Sequence, residues 1–265
     1  MNPFFFGSAE RALYGAYHPP KVRGGSRQGV VLCYPFGVEY MRAHRAFRQL
    51  TNLLTRAGLH VLRFDYYGTG DSVGEGDDAG LGDWTADVGT AIRELRDTAG
   101  IDRVTLVGLR LGATLAARAG RERDDVERIV LWDPVVSGRR YLSEGLRQPV
   151  GAGGARELTG DAGVLGVQGF PMSEELVDEL LALHFADGAG RFRMPVELVT
   201  SREDEDFTRL HRAIERKGGR VRFHLVPSEG NWAEGDAFGS ALLPQGIIQA
   251  IVEIVAKPAD ARQRR

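Results

Sequence analysis

Short apolar, β-branched runs alternate in this chain with stretches whose apolar residues recur at helical spacing. That alternation restricts the fold to a mostly parallel, twisted sheet covered by helices on both faces. Phe4–Phe6 and Leu13–His18 predict an opening hairpin joined through Gly7 to Arg11. Gly29–Tyr34 (GVVLCY) reads as a buried strand ended by Pro35. Ala43–Arg56 has apolar residues at Phe47, Leu50, Leu53 and Leu54, which is a helical spacing. His60–Phe64 is the next strand, the glycine-rich DYYGTGDSVGEGDD a loop, and Asp83–Thr98 a helix. A strand from Val104, a helix after Gly112 and a strand at Val126–Trp132 follow. Val196–Thr200, a helix over Phe207–Lys217, Val221–Val226 and a helix over Gln245–Ala256 complete an expected sheet of about eight strands.

One segment breaks the rhythm. Residues 137–193 show no clear strand, are rich in Gly and Ala near Pro149–Gly163, and contain a helix over Ser173–Phe185 capped by Ser173. An irregular insertion of that size is expected to be a lid over a site, within a single domain spanning 1–265. The polar tail from Lys257 onward is expected to fray.

Composition excludes several classes of partner. With 43% apolar residues and a net charge of −2, the chain can bury a core and has no bulk attraction for nucleic acid or an anionic membrane. MNPFFFGSAER is too short an apolar run for a signal peptide, and no run reaches the length of a membrane span. The lone Cys33 excludes an internal disulfide and fits a reducing compartment, so a cytoplasmic location is expected. His18, His44, His60, His184, His211 and His224 lack ligand spacing, so neither a metal nor a cofactor is expected. GTGDSVGEG lacks the terminal Gly-Lys-Ser/Thr of a phosphate loop.

The chemistry concentrates in VTLVGLRLGATLAA (Val104–Ala117), a strand, a tight Gly-x-x-x-Gly turn and a helix. This stretch is similar to the nucleophile elbow of α/β-hydrolases, in which the central residue is a serine. Asp65-Tyr66-Tyr67-Gly68-Thr69-Gly70-Asp71-Ser72 resembles the D-x-x-G-x-G-x-S loop of the same superfamily. Pro35-Phe36-Gly37-Val38-Glu39, Gly108–Ala113 and Leu131–Gly138, with a weaker echo at Val167–Phe170, resemble more narrowly the second exosortase-A-system-associated hydrolase and its biosynthetic-cluster relatives. The resemblance implies the α/β-hydrolase fold and a place in a biosynthetic pathway.

A hydrolytic site of this kind needs a nucleophile, an imidazole and an orienting carboxylate. Here the nucleophile slot holds Arg110. Asp204 is the best-spaced acid, with Asp206 second, and Asn231 stands where the histidine is expected. His224 lies within a strand and reads as structural. Ser72 is expected to shape its loop, Cys33 to pack in the core, and His44 to face solvent or pack in the first turn of its helix. Ordinary serine-hydrolase activity is therefore not expected.

An arginine above a helix N-terminus sets positive beside positive, so an anion must answer it. One answer is internal, with Asp204, Asp206, Glu39 or Asp133 as partner. The other is a ligand, because a guanidinium fork over free N–H groups suits a carboxylate or phosphate. The expected site therefore comprises Arg110, Asp204 and Glu39 as the chemical groups, with Glu39 following the strand-three turn as a candidate base. Leu111 would supply an N–H donor, and Tyr34, Phe36, Tyr66, Asn231, Trp232 and Asp133 would line the pocket. Tyr67 belongs to the same edge, and Asp65 and Asp71 are expected to brace the glycine loop. Three readings remain open: a degenerate hydrolase binding an anionic or acyl small molecule, an ester or thioester hydrolase with a non-standard site, and a non-catalytic scaffold.

Overall fold

The computed structural model describes residues 1–22, 27–76, 78–146, 164–167, 170–188, 190–228, 232 and 243–257. An antiparallel hairpin, β1 (Asn2–Gly7) and β2 (Ala12–His18), opens the chain. Then come β3 (Gly29–Cys33), α1 (Val38–Arg56), β4 (His60–Phe64), α2 (Leu81–Ala99), β5 (Val104–Leu109), α3 (Leu111–Gly120) and β6 (Val126–Trp132). The insertion carries α4 (Gly138–Leu146), β7 (Val164–Val167), β8 (Phe170–Ser173), α5 (Glu174–Leu181) and α6 (Phe185–Gly188). The chain returns through β9 (Val196–Thr200), α7 (Glu205–Arg216), β10 (Val221–Leu225) and α8 (Gln245–Ala256).

Eight strands form one sheet in the order β1-β2-β4-β3-β5-β6-β9-β10, parallel from β4 onward. Strands β3 and β5 are buried at every position, which explains their unbroken apolar sequence. The connection from β3 through α1 runs toward β4, whereas that from β5 through α3 runs toward β6. Right-handed crossovers in opposite directions put α1 and α3 on opposite faces, so β3 and β5 flank a topological switch point. Aromatic rings fill the sheet edge there: Tyr34 stacks on Phe47 at 4.2 Å, and Phe36 packs on Trp84 at 5.0 Å.

The structure corrects several boundaries and one element. Helix α1 begins at Val38, so Glu39 lies in its first turn and His44 in its second. Residues 137–193 do contain strands: β7 and β8 pair antiparallel, in a hairpin too short for a periodicity argument. The expected helix at 173–185 is split into α5 and α6, with the predicted Ser173 cap accepting the Leu176 N–H at 3.1 Å. Gln168, Gly169 and Asn231, and the whole Gly/Ala-rich stretch 149–163, lie outside the described residues. No helix among the described residues is long and apolar enough to cross a membrane.

Candidate functional site

The elbow is built by close approach. A Cβ on Gly108 would fall 2.4 Å from the Gly112 carbonyl oxygen, and one on Gly112 would fall 2.2 Å from that of Tyr34. Only glycine lets β5, α3 and the end of β3 pack this tightly. Between them Arg110 takes φ 54°, ψ −121°, one of two described non-glycine residues at positive φ; the other is Asp133 at φ 41°. Such a conformation costs of order 1–3 kcal/mol and is held by surrounding bonds. Here the Arg110 N–H donates to the Trp132 carbonyl at 2.9 Å, and the Arg110 carbonyl accepts from Ala113.

The guanidinium is buried, at 5% exposure, and it is answered twice. Nε donates to Glu39 Oε1 at 2.8 Å, and Nη2 donates to Glu144 Oε2 at 2.8 Å. Glu39 is the internal partner that the sequence offered. Asp204 and Asp206 are not: both are held by Arg140. Arg140 donates to the two Asp204 oxygens at 2.9 and 2.7 Å, to Asp206 at 3.3 Å, and from Nε to Glu144 Oε1 at 3.1 Å. Arg202 Nε stands 3.6 Å from Asp204. A chain of alternating charge thus runs from Glu39 through Arg110, Glu144 and Arg140 to Asp204.

The electrostatics follow from burial and pairing. Burial pushes the Glu39 carboxyl up, and Arg110 only partly offsets this. Glu39 Oε2 is buried without a well-formed hydrogen bond, although the Tyr141 hydroxyl lies close enough to act on the carboxyl. Burial disfavours the Arg110 charge, but Glu39 and Glu144 overcome it and hold the guanidinium ionised. Burial also raises Asp204, yet the Arg140 bonds and the Asp206 N–H bring it below the usual carboxylate range. The Tyr141 ring faces Arg110, its centroid 5.6 Å from the guanidinium carbon. Arg110, Arg140, Glu144, Val135, Tyr141 and Phe207 line a narrow cleft with room for about one water molecule.

The remaining predicted residues divide into framework and edge. Tyr34 and Tyr66 are core: the Tyr34 hydroxyl accepts from Arg63 at 3.1 Å, and the Tyr66 hydroxyl donates to the Tyr34 carbonyl at 3.1 Å. Phe36 meets Phe170 of the insertion, their ring centroids 6.1 Å apart. Leu111 opens α3, where its N–H belongs to the free first turn. Asp133 is fully buried; Oδ1 accepts the Ser201 N–H at 2.7 Å, and among the described residues Oδ2 has no well-formed hydrogen bond. Trp232 packs edge-on against Trp132 at 5.4 Å, and Arg42 donates to its carbonyl at 2.8 Å.

Ser72 shapes its loop, accepting the Tyr14 N–H at 2.8 Å and donating to the Asp65 carbonyl at 2.7 Å. Asp65 Oδ2 accepts the Asp71 N–H. Cys33 is buried in β3, His44 is exposed, and His224 bonds Glu197 at 2.8 Å. Among the described residues no histidine is bonded to Arg110, and no cluster of His, Cys, Asp or Glu could hold a metal.

Sequence reasoning missed Arg140, Glu144 and Tyr141. The signal that existed was an i,i+4 Arg–Glu pair on a predicted lid, which fixes one helix face but not what that face meets.

Sheet order, switch point and elbow together define an α/β-hydrolase fold. A family model described as "Serine aminopeptidase, S33" matches residues 28–158, which include the elbow and both glutamates that hold Arg110. Solved structures of similar fold include Est1E from Butyrivibrio proteoclasticus with ferulic acid bound (TM-score 0.72, 16% identity, 96% of each chain covered). A proline iminopeptidase from Mycobacterium smegmatis is similar at TM-score 0.63 and 13% identity, over 96% of this chain and 97% of that one. A putative hydrolase from Agrobacterium vitis S4 matches at TM-score 0.62 and 18% identity, over 96% of this chain and 98% of that one. No curated protein matches the chain significantly.

Proposed function

We propose that this protein binds an anionic or acyl small molecule at the elbow of an α/β-hydrolase fold and does not cleave it by a serine mechanism. The observation that carries the reading is Arg110 itself. A buried guanidinium, fixed at positive φ, occupies the tip from which a hydroxyl would attack. A guanidinium cannot act as a nucleophile; it can hold a developing or permanent negative charge. Glu39, with its carboxyl pushed up by burial, is the group suited to move a proton beside that charge. Non-hydrolytic chemistry, such as proton transfer, elimination or cyclisation, suits this pair. The resemblance to exosortase-system-associated proteins supports a role in a cytoplasmic biosynthetic pathway, with residues 137–193 as the lid.

The closed network favours a second reading, a non-catalytic binding protein, because the resting cleft has almost no room. A thermal-shift panel of carboxylates, phosphates and acyl thioesters separates them, since a ligand of the folded state raises the melting temperature. A shift seen in the wild type and abolished in Arg110→Gln supports the anion site. Equal shifts in both proteins would remove Arg110 from binding. Arg110→Ser should gain no efficient esterase activity, and high turnover in that variant would show that an imidazole is in reach.

A further inference from the structure

We propose that Arg110 and Arg140 form a two-arginine clamp for a carboxylate, and that Glu144 fills it as an internal stand-in for the ligand. This rests on Arg110 as the holder of a ligand anion and adds a second cation and a built-in competitor. Glu144 is a bridging group: Oε2 accepts from Arg110 Nη2 at 2.8 Å, and Oε1 accepts from Arg140 Nε at 3.1 Å. One planar carboxylate lies between two guanidiniums, each oxygen taking one N–H. A ligand carboxylate can reproduce that arrangement atom for atom.

The two arginines do not depend on Glu144 for their positions. Glu39 holds Arg110 through Nε, and Asp204 holds Arg140 through both terminal nitrogens. Withdrawing Glu144 therefore leaves both cations oriented and each still neutralised from its far side. Glu144 is also the outermost of the groups on Arg110, with a side-chain exposure of 26% against 4% for Glu39. It stands on the nine-residue α4 and lines the cleft. Pro134, Val135, Val136 and Phe207 give the cleft an apolar side, while Arg202, Asp204 and Asp206 also line it, so the ligand that fits is a carboxylate on a small apolar body.

A tethered carboxylate competes at high effective concentration, so removing it should expose the clamp. Isothermal titration with hexanoate, with methyl hexanoate as the uncharged control, tests this. Glu144→Gln should bind hexanoate about tenfold or more tightly than wild type. Adding Arg140→Gln should reverse most of that gain, and the ester should respond to neither change. Glu144→Asp, which keeps the charge but shortens its reach, should give a smaller gain in the same direction and serves if the amide variant does not fold. Equal hexanoate affinity in wild type and both Glu144 variants, with Arg110→Gln weakening all of them, would overturn the clamp and leave the Arg110 anion site standing. No effect of Arg110→Gln in any background would overturn both.

Discussion

Arg110 Nε and Glu39 Oε1 meet at 2.8 Å across the point where the sheet connections diverge, one residue from the β5–α3 turn and the other from the first turn of α1. In open α/β sheets this crevice, beyond the carboxyl ends of the strands, is where ligands bind. Here an ion pair spans it. The pair lies deeper than Glu144, with side-chain exposures of 6% and 4% against 26%.

Removing one member of that pair leaves the other charged and buried. Glu39→Leu should cost up to about 3 kcal/mol, because Glu144 still answers the guanidinium, whereas Glu39→Leu with Arg110→Met should recover most of the loss. Urea unfolding of the two singles and the double gives the coupling directly. A double variant as unstable as the worse single would mean that the pair is not the source of the cost.

The elbow tolerates no side chain at its glycines. Gly108→Ala and Gly112→Ala each drive a Cβ into backbone oxygen, so a backbone shift is required rather than a rotamer change. Both should lower the melting temperature sharply, at a cost of about 3 kcal/mol or more, or yield no folded protein. Gly82→Ala is the matched control, because nothing lies near its added methyl. A normal melting temperature for Gly112→Ala would contradict the close approach to Tyr34.

Ser72 ties its loop to β2 and β4 through the Tyr14 N–H and the Asp65 carbonyl. Ser72→Ala should cost about 1–3 kcal/mol through the stranded Tyr14 N–H. A fluorophosphonate probe should leave the wild-type protein unlabelled, as read by intact mass. Labelling at Ser72 would return a serine mechanism.

Two buried carboxyls should give opposite pH signatures. Burial pushes Glu197 up, but His224 and Arg222 outweigh it and hold the carboxyl below its ordinary value. Its contribution is therefore present above the unfolded carboxylate pKa of about 4.3 and is lost as pH falls through the folded value. Burial raises Asp133, which the Ser201 bonds offset only in part. Its charged form destabilises the fold near neutrality; that penalty begins to shrink as pH falls through the raised folded value and is gone only below the unfolded carboxylate pKa of about 3.9. Urea midpoints from pH 7 downward should show Glu197→Gln losing stability and Asp133→Asn gaining it at pH 7. Both differences should shrink in acid. Parallel, pH-independent offsets would show that neither carboxyl is shifted.

The sequence by itself determined the alternation of strands and helices that builds the parallel sheet, because this depends on local periodicity, and its likeness to known elbows located the β5–α3 turn; it did not show α4 or the β7–β8 hairpin. It also put Arg110 at the tip and named Glu39 among its partners, since a cation above a helix N-terminus requires an anion nearby. Only the tertiary structure decided which anions. Glu144 and Arg140 are ordinary charged helix residues until α4 folds over the elbow, and Asp204 is turned from Arg110 to Arg140 by that packing. Strand periodicity fixes which face a residue occupies; the crossing of an insertion over a sheet edge depends on contacts between segments far apart in the chain, and leaves no local pattern to read.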